Sequence, residues 1–452
     1  MNSKLKSNHN LTAFPGKIFI ISLRLLFVFC SCLTTASGQE TELPFSFYPV
    51  GSGARAVGVG GAFIAVADDA TAASWNPGGL TQLRKPELSI VGAGFHRGED
   101  ISFGKKPEAS GYHSITDQNI NYLSAAYPFE LFNRNMTAAI SYQHLFDFTR
   151  NWKYTFTHNS DEYSSKENWD FQQTGRLSAL GFSYCIQVIP EHLSLGMTFN
   201  LWKDGLTPDK WRRNYHKNET GTTGNSPFTH EYKRNDEYSF NGFNTVLGAL
   251  WRINDKLSIG MVFKTPFKAD VEHRMYKIWH ENESYIPDYT VVNEEIEMPM
   301  SLGIGFLYNV SDNFYMSADI YRTEWDDFII RDKDGNEICP ISKYPADHSD
   351  VPPTHQVRIG AEYLLIKEKN KGIVIPLRCG IFYEPAPAEG SPDDFFGFSV
   401  GSGFTKNNYF SLDIAYQYRF GNNVGKSIFE RLEFSQDVHE HTIYMSMILY
   451  KF

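Results

Sequence analysis

The sequence predicts an all-β protein: a 14-stranded antiparallel transmembrane β-barrel with an N-terminal hatch, or plug, inside the lumen. Three observations predict it. Aromatic residues make up 15% of the 452-residue chain and glycines number 35, while charged residues are only 21%. Beyond the N-terminus no run approaches the roughly 20 apolar residues of a spanning helix, and the mean hydropathy is −0.36. From about residue 86 onward, apolar and polar residues alternate with period two, in segments joined by alternately long and short connections. A barrel wall spreads its apolar residues in that way and joins its strands by short periplasmic turns and long external loops. A soluble sandwich or propeller has no reason for such alternation.

Residues 1–38 read as a secretory signal peptide. Lys4, Lys6, Lys17 and Arg24 are basic, no acid precedes Glu40, and Leu25 to Leu33 form an apolar core broken only by Ser31. Ala36 and Gly38 stand at the −3 and −1 positions of a cleavage site. Removing those four from the 42 basic residues leaves 38 against 52 acidic ones, a net charge of −14. That balance argues against nucleic-acid binding. Cys30 and Cys32 leave with the signal. Cys185, Cys339 and Cys379 remain, widely spaced and odd in number, with neither a disulfide framework nor a metal spacing. Cys339 reads as an exposed thiol, the other two as packing residues.

Residues 39–85 read as the hatch. The stretch GSGARAVGVGGAFIAVADDATAASWNPGGL, Gly51 to Leu80, has too little bulk for a core of its own. A 14-stranded barrel is too wide for wall side chains alone to fill, and small residues let backbone pack closely against a wall. GVGGAF lacks the Lys-Ser/Thr ending of a phosphate loop and has no βαβ unit around it. Asp68 and Asp69 read as helix-cap or amide-binding carboxylates, rather than as cation ligands or an acid–base pair. Arg55 either holds the carboxylate of a ligand or pairs with Asp68 or Asp69. Phe45, Phe47 and Phe63 either line a greasy pocket or pack the plug.

Residues 86–452 read as the barrel. The predicted strands are 86–97, 118–129, 134–149, 174–189, 193–203, 239–251, 257–265, 298–309, 313–325, 354–365, 373–384, 395–404, 408–420 and 441–452. Long connections at 98–117, 150–173, 204–238, 266–297, 326–353, 385–394 and 421–440 alternate with six short ones, which places both termini in the periplasm. In the last strand, HTIYMSMILYKF, a terminal Phe452 follows aromatic or apolar residues at every second position. That resembles the mark read by the barrel insertion machinery. The other face of this strand, Ile443, Met445, Met447 and Leu449, is expected to point inward and line an apolar path.

The run GARAVGVGGAFIAVADDATAASWNPGGL resembles the hatch signature of the outer-membrane long-chain fatty acid and aromatic hydrocarbon transporters, the FadL/TodX/OmpP1 family. LRCGIFYEPAPAEGSPDDFFGFSVGSGF and LDIAYQYRFG are similar to the last third of that family. The family's Asn-Pro-Ala hatch motif maps onto Asn76, Pro77 and Gly78, with Gly for Ala. The resemblance implies a hatch that approaches an inward kink in the third strand, where a gap opens sideways; 134–149 has no Gly or Pro to mark one.

The resulting expectation is an outer-membrane channel that takes up hydrophobic molecules, long-chain fatty acids or hydrocarbons, by passive, ligand-gated diffusion. Its partners would be that substrate, the outer-membrane lipid and the insertion machinery. It would need no cofactor or metal and have no catalytic residues. The main alternative is a barrel that docks secreted proteins at the cell surface. An outer-membrane phospholipase lacks support, since no Ser/His/Asp constellation with suitable spacing is present.

Overall fold

The computed structural model describes residues 48–49, 51–281, 284–367, 372–406 and 409–450. Phe45, Phe47, Phe452 and the signal segment lie outside the described residues. Among these residues fourteen wall strands run antiparallel, each bonded to its neighbours in sequence, and the last pairs with the first from Leu88↔Leu449 to Phe103↔Phe434. In order they are Glu87–Phe103, Gly111–Leu131, Arg134–Asp147, Tyr163–Ile189, Leu193–Lys203, Ser226–Arg252, Leu257–Lys264, Ser301–Ser311, Phe314–Thr323, Thr354–Lys367, Ile373–Tyr383, Phe396–Lys406, Phe410–Val424 and Phe434–Leu449.

The period-two alternation sets what each strand shows to each side. In the fifth strand Leu195, Met197 and Phe199 face outward, while Ser194, Thr198 and Asn200 are buried toward the lumen. The same outward apolar belt continues through Leu302, Ile320, Ile359, Leu377, Leu412 and Ile414. An exposed apolar band of this extent fits hydrocarbon, not water. Near the short turns, Tyr127, Trp251, Tyr308 and Tyr363 stand exposed, the place of an interfacial aromatic girdle.

Three segments expected as loops are strands. Residues 150–173, 204–238 and 266–297 form tall hairpins built from Arg150–Asn159, Lys210–Thr223, Phe267–Glu281 and Ser284–Met298 together with the outer ends of the fourth and sixth strands. Their outer faces are polar and their inner faces mix aromatic with charged residues; only Arg150–Asn159 alternates plainly, with Trp152, Tyr154 and Phe156 inward. Their rungs pair charges across strands, as with Lys153–Asp170 at 2.9 Å and Arg212–Glu237 at 2.8 Å. The inner face carries aromatic clusters, among them Phe103, Trp152, Tyr154, Phe156, Phe429 and Phe434. The cysteine expectation also reverses: Cys339 is buried and Cys379 is exposed on the outer face of its strand.

Both chain ends of the wall lie on the side of the short turns. An epitope at Gly224, in the tip of one tall hairpin, should therefore be labelled on intact cells, and one at Asp255, in the turn before Leu257, should not. Labelling at Asp255 on intact cells would reverse the orientation.

Candidate functional site

Residues 51–83 fill the lumen. They fold into a one-turn helix, Ala54–Gly58, a second, Ala72–Trp75, and a 3-10 turn, Pro77–Gln82. Their tethers run around the whole wall. The Asn121 amide donates to Gly51 O at 2.8 Å, Ala54 N donates to Ser446 Oγ at 2.7 Å, and Gly60 N donates to Ser399 Oγ at 2.9 Å. Asp319 accepts from the amides of Phe63 and Ile64 at 2.7 and 2.9 Å. The Tyr122 hydroxyl donates to Ala70 O at 2.6 Å, and Thr137 Oγ1 to Leu80 O at 3.0 Å.

Inward glycines of the wall explain why the hatch is made of small residues. A Cβ on Gly196 or Gly248 would overlap the Asn76-Pro77 backbone or side chain. One on Gly260 would strike Ile64, and one on Gly360 or Gly380 would strike Val59 and Gly60. Wall and hatch meet backbone to backbone at these notches. Gly60 itself lies at φ +69, a left-handed conformation that favours glycine.

The Asn76-Pro77-Gly78 motif occupies one such contact. Asn76 is buried; its amide donates to Ile64 O at 2.7 Å and to Ala249 O at 3.0 Å, while its Oδ1 accepts from Gly78 N at 3.0 Å. Pro77 starts the 3-10 turn, where its missing N–H costs nothing. A Cβ at Gly78 would sit 2.8 Å from the backbone of Ala249, which accounts for glycine at the third position.

Arg55 is not free for a ligand. It forms ion pairs with Asp68 at 2.6 Å and Glu362 at 3.1 Å. Glu362 also binds Arg378, which pairs with Asp413 at 2.6 Å. Burial opposes the Arg55 cation, but Asp68 and Glu362 outweigh it and hold the guanidinium well above its ordinary range. The same burial raises the Asp68 carboxyl against the pull of Arg55. Asp69 closes a turn by accepting from Thr71 N at 2.8 Å.

Above the hatch lies a cavity of ≈ 190 Å³, larger than the roughly 150 Å³ apolar cavity that takes up benzene. Ile64 and Trp75 of the hatch form its floor; Trp202, Val246, Phe267, Met298 and Trp325 are among its apolar lining. Polar side chains, among them Gln143, Asn200, Asn244, Gln356 and Gln417, make up about half of the lining. Arg358 pairs with Glu384 at 2.7 Å. Lys264 lies over the Tyr321 ring at 5.6 Å and, among the described residues, has no carboxylate within ion-pair distance. The Tyr321 hydroxyl and Asn200 Oδ1 are buried without a hydrogen-bond partner.

Phe63 does not line this cavity. It sits in the hatch core, edge-on to Trp75 at 6.2 Å. Ile443, Met445, Met447 and Leu449 point outward, with Met445 60% exposed. Their neighbours Tyr444 and Ser446 face inward, where Tyr444 packs on Ala54 and Val57. The outer face is apolar throughout, whereas the inner face mixes Thr442 and Ser446 with Tyr444 and Ile448, so the more apolar face is the one that meets lipid. Sequence reasoning missed Lys264; inward parity with Ser258, Gly260 and Val262 was the signal that could have found it.

One seam of the wall lacks a backbone ladder. The second and third strands pair only from Tyr122↔Gln143 to Leu131↔Arg134, and above that level they part. The third strand breaks at Phe148–Thr149 and resumes at Arg150. Tyr48–Pro49 pair with its freed edge at Asp147 and Phe146. Side chains stitch the seam: His144 Nδ1 meets Asn119 Oδ1 at 2.9 Å, and Arg97 donates to Thr149 O at 3.1 Å.

A family model described as outer membrane protein transport protein (OMPP1/FadL/TodX) matches residues 50–445. Among solved structures, a FadL homologue of Pseudomonas aeruginosa aligns at 12% identity with a TM-score of 0.60, covering 90% of this chain and 99% of that one. The CymD monoaromatic hydrocarbon channel aligns at 16% identity and 0.53, covering 90% and 99%. The toluene transporter TbuX of Ralstonia pickettii aligns at 12% and 0.52, covering 89% and 99%. At these identities the likeness is one of fold. A search of curated protein sequences finds no match.

Proposed function

Because the chain belongs to the OMPP1/FadL/TodX family of outer membrane transport proteins, channels for hydrophobic substrates and not enzymes, we propose that its ligand is a long-chain monocarboxylate. The ligand's apolar part lies in the cavity above the hatch and its carboxylate at Lys264. One observation carries this reading: Lys264 is the cation of the cavity that meets no carboxylate among the described residues, whereas Arg358 is matched by Glu384. A half-buried ammonium over an aromatic ring favours an anionic partner, and the unpartnered Tyr321 hydroxyl offers a second donor. A neutral hydrocarbon would use the apolar walls and leave these donors unsatisfied. Entry of the ligand into the cavity would gate the channel.

Lys264→Met keeps the apolar stem and removes the charge. A hydrogen bond to a charged group contributes about 1.5–3 kcal/mol, so affinity for hexadecanoate should fall roughly tenfold to a hundredfold. Affinity for hexadecane should be unchanged. Tryptophan fluorescence of the purified protein reads both, since Trp75, Trp202 and Trp325 line the cavity. Equal affinities of the variant and the parent for hexadecanoate would sink the carboxylate reading.

A further inference from the structure

Gly196, Gly248, Gly260, Gly360 and Gly380 seat the hatch, but the inward Gly181 of the fourth strand does not. A Cβ there would lie 2.6 Å from Ser141 Oγ, 2.7 Å from Gln143 Nε2 and 3.2 Å from Asn200 Oδ1. This glycine makes room for polar side chains of the neighbouring strands. On the fifth strand Asn200 stands opposite Gly181 on one side and opposite Asn244 of the sixth strand on the other. Gln143, Asn200 and Asn244 all line the upper cavity, and all three are buried.

The three carboxamides are oriented by the wall. Trp202 Nε1 donates to Asn244 Oδ1 at 2.9 Å. An indole nitrogen only donates, so the Asn244 oxygen is fixed to Trp202, which is itself stacked on Phe267 at 5.9 Å. Asn200 Oδ1 lies against Gly181. In both asparagines the amide nitrogen is therefore the end left for the cavity, and among the described residues neither nitrogen meets an acceptor. Opposite residues of an antiparallel pair have Cβ atoms about 4.5–5.5 Å apart, close enough for both nitrogens to reach one oxygen. Gln143 is turned the other way: its Nε2 donates to Ser141 Oγ at 2.9 Å, which leaves its oxygen as an acceptor beside Asn200. Lys264 is a separate pole. Its ammonium lies over Tyr321 of the ninth strand, on the side of the seventh strand away from Asn244.

We propose that Asn200, Asn244 and Gln143 form a second polar subsite of the upper cavity, which takes a hydroxyl carried on the ligand's chain, so that the transported class is a hydroxylated long-chain monocarboxylate. The proposal rests on the assignment of the upper cavity, with Lys264, as the ligand site. A plain alkyl chain laid along this wall would shut two amide N–H2 groups away from water without acceptors, which costs free energy. A hydroxyl has two lone pairs and one proton. It accepts from Asn200 and Asn244 and donates to the oxygen of Gln143.

Competition against radiolabelled hexadecanoate on the purified protein tests this, with monohydroxyhexadecanoates whose hydroxyl is moved along the chain. One position away from the carboxylate end should bind at least about tenfold more tightly than hexadecanoate itself. Asn200→Leu and Asn244→Leu should each abolish that preference while binding hexadecanoate no more weakly than the parent does. Asn200→Leu leaves the Trp202–Asn244 contact in place, so the outcome does not hang on the second variant folding. In Lys264→Met both affinities should fall and the preference for the hydroxylated ligand should stay. A series as flat as hexadecanoate in the parent, or a preference that survives both leucine variants, would overturn the subsite. Hexadecanoate binding that is unchanged in Lys264→Met would instead overturn the ligand site on which it depends.

Discussion

Replacing Gly360 and Gly380 with valine should turn the protein into an open pore. These residues face each other across the tenth and eleventh strands; Gly360 presses on Val59, and Gly380 on the backbone of Val59 and Gly60. Overpacking typically costs about 1–3 kcal/mol per site, and here the obstacle is backbone, which no rotamer change relieves. The wall should survive, because its closed ladder of hydrogen bonds does not depend on the lumen. The hatch would be forced off its notches and the lumen would admit water. Planar-bilayer conductance should rise by more than an order of magnitude and approach that of a variant lacking residues 51–83. A folded double variant as tight as the parent would show that these notches do not seat the plug.

Glu362→Gln should loosen the hatch almost as strongly. Glu362 is buried and meets two guanidiniums, those of Arg55 and Arg378. Removing one partner of a buried ion cluster costs about 3–5 kcal/mol, because the remaining charges stay buried without compensation. Two cations would be left with Asp413 and with Asp68, whose side chain is 34% exposed. The helix Ala54–Gly58 should detach, and limited trypsinolysis should then cut at Arg55, which the parent resists. Arg55→Met/Glu362→Gln removes one charge of each sign and leaves Arg378 with Asp413. Because it has no arginine at position 55 for trypsin to cut, it is read by planar-bilayer conductance, where it should leak less than the single variant. If Glu362→Gln resists trypsin as well as the parent, the charge chain is not what anchors this side.

Much of the wall was legible because one face of most strands meets lipid and the other a polar lumen. Leu193 to Trp202 shows this alternation, with Leu195, Met197 and Phe199 toward lipid and Ser194, Thr198 and Asn200 toward the lumen. The fourteenth strand was not legible in this way, since Tyr444 meets the hatch while Met445 and Met447 face outward. The tall hairpins escaped because strands such as Lys210–Thr223 mix Trp211 and Tyr215 with Arg213 and Lys217 on one face and are polar on the other. In the hatch, small residues announced a tight fit, and Asn-Pro-Gly announced a special turn. The partners of that turn, Gly196 and Gly248, are far away in sequence, and no local pattern links them to Asn76. Of the two partners the sequence left open for Arg55, a ligand carboxylate or Asp68 or Asp69, the structure has Asp68, joined by Glu362, which no local pattern links to it. Lys264, unremarkable in sequence, is the cation left over once those pairs are made. The expected roles of Phe45, Phe47 and the terminal Phe452 fall on residues outside those described.

The account's central claim is that the cavity above the hatch holds the transported ligand by its apolar walls and by Lys264. A structure of the protein saturated with hexadecanoate tests this most directly. The expected result is a chain lying against Trp75, Trp202 and Phe267 with its carboxylate within hydrogen-bond reach of Lys264 Nζ. Hexadecanoate ordered elsewhere in the barrel, with this cavity empty or Lys264 untouched, would contradict it.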